Sequence, residues 1–119
     1  MNDQIYRQNI IDHYKNPRNV GAIKDPSAED RESNVTCGDE TQVSLQIKDE
    51  KIEKIKHETV GCAISVAGIS ILSEELVGMN VEEVKKMNKE NMQEILGIKI
   101  TPSRLKCAML GLEAIKKAL

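Results

Sequence analysis

The chain has no phenylalanine and no tryptophan, and its only aromatic side chains are Tyr6 and Tyr14. Isoleucine, leucine, valine and methionine must fill the core, and almost no surface is left on which nucleic-acid bases could stack. No apolar run approaches the roughly 18 residues that a bilayer-spanning helix requires. Charge of one sign is also missing: 17 basic and 19 acidic residues leave a net charge of −2 with no basic block. Nucleic-acid binding therefore lacks its electrostatic footprint as well. The first residues, Met1-Asn2-Asp3-Gln4, carry neither the basic region nor the apolar stretch of a signal peptide. Three cysteines with no close pair do not suit a disulfide framework. The expectation is a protein with no membrane and no nucleic-acid partner. A reducing, cytoplasmic setting is expected too, where thiols serve packing, metal binding or chemistry.

What is present fits one domain spanning residues 1–119, long enough to bury roughly two-thirds of its unfolded surface. Asp3 can cap a first helix from Gln4 to Tyr14, with Tyr6, Ile10 and Tyr14 at helical spacing. It should stop before Asn16-Pro17, because the residue before proline avoids helical angles. Asn16 to Gly21 reads as a structured loop, and the polar stretch Lys24–Ser33 as a mobile one. Val43, Leu45 and Ile47 alternate with polar residues, the signature of a half-buried strand. Asp49-Glu50 makes a turn, Lys51–Val60 returns as a second strand, and Ser33–Cys37 adds a short third. Helices cover the sheet. Ala63–Val77 carries Ile69, Leu72 and Leu76 on one stripe and stops at Gly78. Val81–Met87 and Lys89–Leu96 follow, the latter ending at Gly97. The last helix has Thr101 as cap and Pro102 at its first position, and buries Leu105, Ala108, Met109, Leu112 and Ile115 before ending near Lys117. The class is α+β: a three-stranded antiparallel sheet with helices packed on it and an N-terminal helix before the strands. Along the last helix, Cys107, Gly111, Ala114 and Ala118 form a stripe of small side chains, which suits close helix packing.

The chemistry rests on Cys37, Cys62 and Cys107. Any one lone thiol is most often a small buried hydrophobe, but the local settings differ from that. Cys62 follows Gly61 at a helix start, where the dipole and free amide hydrogens favour a thiolate. Cys107 has Lys106 and Arg104 as cationic neighbours. Cys37 precedes Gly38, whose missing side chain permits unusual backbone angles. Asp39 is the natural fourth ligand, since a Cys-x-Asp segment can aim both side chains at one ion; as a turn residue it would bond its own backbone instead. Zinc accepts three thiolates and a carboxylate, and iron–sulfur clusters take thiolates first. Gaps of 24 and 44 intervening residues match no zinc-finger spacing, so only the fold can bring these ligands together. His13, near the end of the first helix, should face solvent or cap a carbonyl, and His57 should be a satisfied sheet histidine. Cys-x-x-Cys, Gly-rich phosphate-loop and His-Glu-x-x-His signatures are all missing.

Four segments, His13-Tyr14-Lys15-Asn16-Pro17-Arg18-Asn19-Val20-Gly21, Thr36-Cys37-Gly38-Asp39, Gly61-Cys62-Ala63-Ile64-Ser65 and Arg104-Leu105-Lys106-Cys107-Ala108, together resemble the IscU/NifU/SufU family of iron–sulfur cluster assembly proteins. They come in family order and cover nearly the whole chain. The resemblance implies that Cys37, Cys62 and Cys107 converge with Asp39 at one exposed end of the domain. There they would hold a nascent Fe–S cluster, usually [2Fe–2S], or zinc in its place. It implies a cysteine desulfurase as sulfur donor, with Cys62 and Cys107 as candidate persulfide acceptors, and apo Fe–S proteins as recipients. It also implies a scaffold rather than an enzyme, unless the chain is a zinc-dependent sulfurtransferase of the SufU type. The ligand set can serve one protomer or be shared in a homodimer. Lys106 is SufU-like, whereas Gly97 to Thr101 leaves no room for the SufU insertion. Ile100-Thr101-Pro102-Ser103-Arg104 stands in place of the IscU chaperone motif Leu-Pro-Pro-Val-Lys.

Overall fold

The computed structural model describes residues 3–34 and 38–119. Helix α1 (Asp3–Lys15) precedes strands β1 (Ala28–Asn34), β2 (Asp39–Lys48) and β3 (Lys51–Val60). Helices α2 (Ala63–Glu75), α3 (Val81–Lys85), α4 (Lys89–Leu96) and α5 (Pro102–Ala118) follow. The strands form one antiparallel sheet in the order β1-β2-β3, the expected α+β arrangement. The cap expected of Asp3 falls on a side chain outside the described set.

β2 and β3 are joined by Asp49 and Glu50, both at positive φ (53° and 64°), as a tight hairpin turn demands. The strands slip register between Gln46 and Ile47. That bulge explains how Ile52 and Ile55, three residues apart on one strand, are both buried at 1% exposure. Val43 and Leu45 are fully buried on the same face.

The third strand begins further upstream than Ser33, and residues 35–37 of the expected stretch lie outside the described residues. Residues 28–34 pair with β2 from Ala28↔Leu45 to Asn34↔Asp39, so most of the stretch expected to be mobile is strand. Its sequence, Ala-Glu-Asp-Arg-Glu-Ser-Asn, is that of an edge strand, where charged side chains discourage further pairing. Backbone hydrogen bonds to β2 hold it, and the Lys117 ammonium of α5 reaches Asp30 at 3.7 Å.

α2 is buried on most of its surface because α1 and α5 flank it above β3. Small residues allow this. A Cβ on Gly111 of α5 would lie 2.8 Å from Ile69 Cβ, and one on Gly68 of α2 would lie 3.5 Å from the Ala108 carbonyl. In α5, Ala108, Leu112 and Ile115 are buried as expected, whereas Leu105 and Met109 are only partly so. Thr101 is the N-cap residue by backbone geometry and Pro102 takes the first turn, but the Thr101 side chain makes no capping bond. Among the described residues no helix is long and apolar enough to cross a membrane.

α1 presents Ile10 and His13 to α2, while Tyr14 is 45% exposed; the inward stripe therefore runs through His13 and not Tyr14. This corrects the expectation that His13 faces solvent or caps a carbonyl, since it is buried against a hydroxyl of α2. Its Nδ1 lies 2.7 Å from the Ser70 hydroxyl, which also accepts the Arg18 amide at 2.8 Å. His57 is a satisfied sheet histidine: Nε2 donates to the Arg18 carbonyl at 2.8 Å and Nδ1 lies 3.2 Å from the Thr59 hydroxyl. The loop after α1 is thus pinned at Arg18 to α2 by the Ser70 hydroxyl and to β3 by His57.

Candidate metal centre

Asp39 opens β2 on the inward face and is 2% exposed. Because Glu40 pairs with Val60, Asp39 lies across from Gly61, the residue after β3. A Cβ on Gly61 would come within 2.5 Å of both Asp39 Oδ1 and Ser65 Oγ. Only glycine lets the carboxylate lie this close against the backbone.

Cys62 follows as the N-cap residue of α2, extended at φ −74° and ψ 171°. Its amide donates to Asp39 Oδ1 at 3.1 Å, and its Sγ lies 3.9 Å from Oδ2. Ser65, in the first turn of α2 and 1% exposed, donates from Oγ to the Cys62 carbonyl at 3.0 Å and lies 3.6 Å from Cys62 Sγ. Burial raises the Cys62 thiol, but the Ser65 amide and hydroxyl, the Cys107 side chain and the Ile64 amide favour the thiolate. Together they bring it below its ordinary value.

Cys107 sits in the second turn of α5, 2% exposed, and the close approach of α5 to α2 carries it to Cys62. Its cationic neighbours Arg104 and Lys106 are exposed, so solvent screens them. One carboxylate oxygen of Asp39 and the sulfurs of Cys62 and Cys107 all lie within 4.8 Å of one another. The structure thus brings together three of the four expected ligands. Cys37 lies outside the described residues. Its neighbour Gly38 has φ 74°, a left-handed angle of the unusual kind that its missing side chain permits, and its amide donates to the Asn34 carbonyl at 2.9 Å.

The donor set fits a thiophilic ion. Bonds of about 2.3 Å from a tetrahedral ion to sulfur put ligand atoms about 3.8 Å apart, so closing by about 1 Å would enclose one. Neither histidine takes part, each being committed to its hydrogen bonds near Arg18. Ser65 and the cradle of Gly61 went unread in the sequence. A serine three residues beyond a helix-opening residue is the available signal, since that spacing lets a side chain bond back to the cap.

The sequence model of the NifU-like N-terminal domain matches residues 5–119. The iron–sulfur cluster assembly scaffold protein IscU 1 of Archaeoglobus fulgidus is 34% identical over 115 residues, covering 97% of this chain and 74% of its own. The zinc-dependent sulfurtransferase SufU of Bacillus subtilis is 33% identical over 132 positions, covering 97% of this chain and 89% of its own. That alignment is longer than the chain's 119 residues, so the SufU carries at least 13 residues with no counterpart here. Among solved structures, a candidate SUF-system cluster assembly scaffold from Fervidobacterium islandicum AW-1 superposes with a TM-score of 0.82. It is 27% identical and covers 99% of this chain and 98% of its own.

Proposed function

This chain belongs to the NifU-like N-terminal domain family, and from that membership we propose that it is a scaffold for iron–sulfur cluster assembly. A labile cluster of the [2Fe–2S] type is its cargo, built on Cys37, Cys62, Cys107 and Asp39 and handed to apo acceptor proteins. The observation that carries the reading is the gathering of Asp39, Cys62 and Cys107 from three separate elements into one set within 4.8 Å.

A mixed thiolate–carboxylate site suits a carrier better than a store. Thiolates are soft ligands that match iron–sulfur chemistry, while a carboxylate is harder and gives the cargo one weak attachment. Asp39 also fixes the entry to α2 through its bond to the Cys62 amide, so one side chain orients a ligand and serves as one. A cysteine desulfurase supplies sulfur as a persulfide, and Cys62 and Cys107 are the candidate acceptors. Of the two, Cys62 is the less buried and has its thiolate favoured by surrounding donors.

One observation favours a second reading. Lys106 precedes Cys107, the SufU-like residue, and a zinc-dependent sulfurtransferase is among the relatives. Zinc would sit on the same four side chains and hold their thiols deprotonated until a partner displaced one. The residues that the Bacillus subtilis SufU has and this chain lacks weigh toward the scaffold.

Anaerobic incubation with iron, cysteine and a desulfurase should give a coloured protein containing iron and acid-labile sulfide. Colour retained by the triple variant Cys37→Ser, Cys62→Ser, Cys107→Ser would overturn the assignment. Asp39→Ala should hold its cluster longer than the parent when challenged with a chelator. Stoichiometric zinc with stimulation of desulfurase turnover, and no cluster, would favour the second reading.

A further inference from the structure

We propose that Ser65 is a positioning residue for Cys62, giving its hydroxyl hydrogen to the Cys62 carbonyl in the metal-free chain and to Cys62 Sγ once that sulfur is ligated. The inference rests on the metal-binding reading of the site and deepens it. Ser65 is 1% exposed, so water does not compete for its hydroxyl. Its oxygen lies 3.0 Å from the Cys62 carbonyl and 3.6 Å from Cys62 Sγ. Both acceptors are thus reached by rotation of one O–H bond without moving the helix.

The direction of the switch follows from the proton inventory. A serine hydroxyl has one hydrogen to give and lone pairs to receive. While Cys62 is a thiol, its S–H can point to those lone pairs and the hydroxyl hydrogen goes to the carbonyl. Metal ligation displaces the thiol proton to solvent. The sulfur then carries charge and becomes the stronger acceptor, so the hydroxyl turns to it. Gly61 keeps the oxygen in place: a side chain there would occupy the space within 2.5 Å of it.

A hydrogen bond onto a ligating sulfur withdraws electron density from the metal–sulfur bond, and such bonds help set the properties of thiolate-held metals. Ser65 therefore loosens the grip of Cys62, as the Asp39 carboxylate loosens the fourth attachment.

Cobalt(II) alone, added anaerobically to the purified full chain, is the probe, because its cysteine-to-metal charge-transfer absorption reports thiolate donor strength without any cluster assembly. Ser65→Ala should keep the helical circular dichroism of the parent, move the band to lower energy and slow chelator removal of cobalt about fivefold, the effect of losing one ordinary hydrogen bond. Ser65→Thr, which keeps the hydroxyl, should restore band and rate. An unchanged band and rate in Ser65→Ala, or a Ser65→Thr variant that behaves like it, overturns the role of Ser65 while leaving the metal site intact. A parent protein with no charge-transfer band overturns the metal reading itself, and this proposal with it.

Discussion

Replacing Gly111 by alanine sets two effects of one methyl group against each other. In the middle of a helix, alanine is favoured over glycine by about 1 kcal/mol. The new Cβ, however, would stand 2.8 Å from Ile69 Cβ and Cδ1 and 3.2 Å from Ile69 Cα. Carbon atoms pack best at about 3.5–4.0 Å, so the shortfall is about 1 Å. Ile69 can swing Cδ1 aside, but its Cβ and Cα move only with α2. The helices must therefore part, at an overpacking cost of about 1–3 kcal/mol, so the net result is destabilisation of up to about 2 kcal/mol. For a chain of this size that corresponds to a fall in Tm of up to about 10 °C. The displacement falls close to the site, since Gly111 is one turn beyond Cys107 and Ile69 two turns beyond Cys62. Ligand atoms that already need to close by about 1 Å would start further apart, and zinc affinity should drop about tenfold, or about 1.4 kcal/mol. Calorimetry and competition with a chromogenic chelator measure the two effects. A variant more stable than the parent by about 1 kcal/mol, with unchanged zinc affinity, would refute the reasoning.

Gly61→Ala should cost about 1–3 kcal/mol of stability and weaken zinc binding more than Gly111→Ala does, because the new methyl pushes the Asp39 carboxylate away from the Cys62 amide that it holds. Equal zinc affinity in Gly61→Ala and the parent, in the same chelator competition, would contradict the cradle. Burial holds both histidines below their ordinary pKa; Arg18 adds to the effect at His13 against Glu74 and Asp12, and the Arg18 carbonyl opposes it at His57. Lowered histidines keep the folded state neutral, so their contribution is complete above about pH 6.5 and is lost as pH falls below it. Two such groups give a slope of up to about 2.7 kcal/mol per pH unit, opposed at the acid end by Glu113, whose carboxyl burial and Glu32 raise. Urea unfolding at pH 7.5, 6.5 and 5.5 measures it. A flat profile there would contradict the neutral, buried state of His13 and His57.

Much of this fold is written in local signals. The alternation through Val43 and Leu45, the Asp49-Glu50 turn, Gly97 at φ 74° and Pro102 in the first turn of α5 each state their element without help from the rest of the chain. β1 is different, because its stability comes from backbone pairing to β2 while its side chains are chosen to keep an edge soluble. Such a strand has no apolar period to read. His13 was misplaced for a related reason: burial of a helix face depends on the neighbour it meets, and the Ser70 hydroxyl that satisfies His13 comes 57 residues later in the chain. The site falls between these cases. Cys62 at a helix start and Gly38 beside Asp39 were visible locally. The meeting of Asp39 with Cys62 and Cys107 depends on strand register and on the contact of Gly111 with Ile69, which no spacing encodes.

The central claim is that the gathered thiolates and carboxylate hold a cluster in order to give it away. The direct test mixes the anaerobically reconstituted protein with an apo-ferredoxin and follows visible circular dichroism. The account predicts that the scaffold's cluster signal decays as the ferredoxin's appears, faster than with cluster components free in solution. A ferredoxin that stays empty while the protein keeps its metal and stimulates a desulfurase would contradict it.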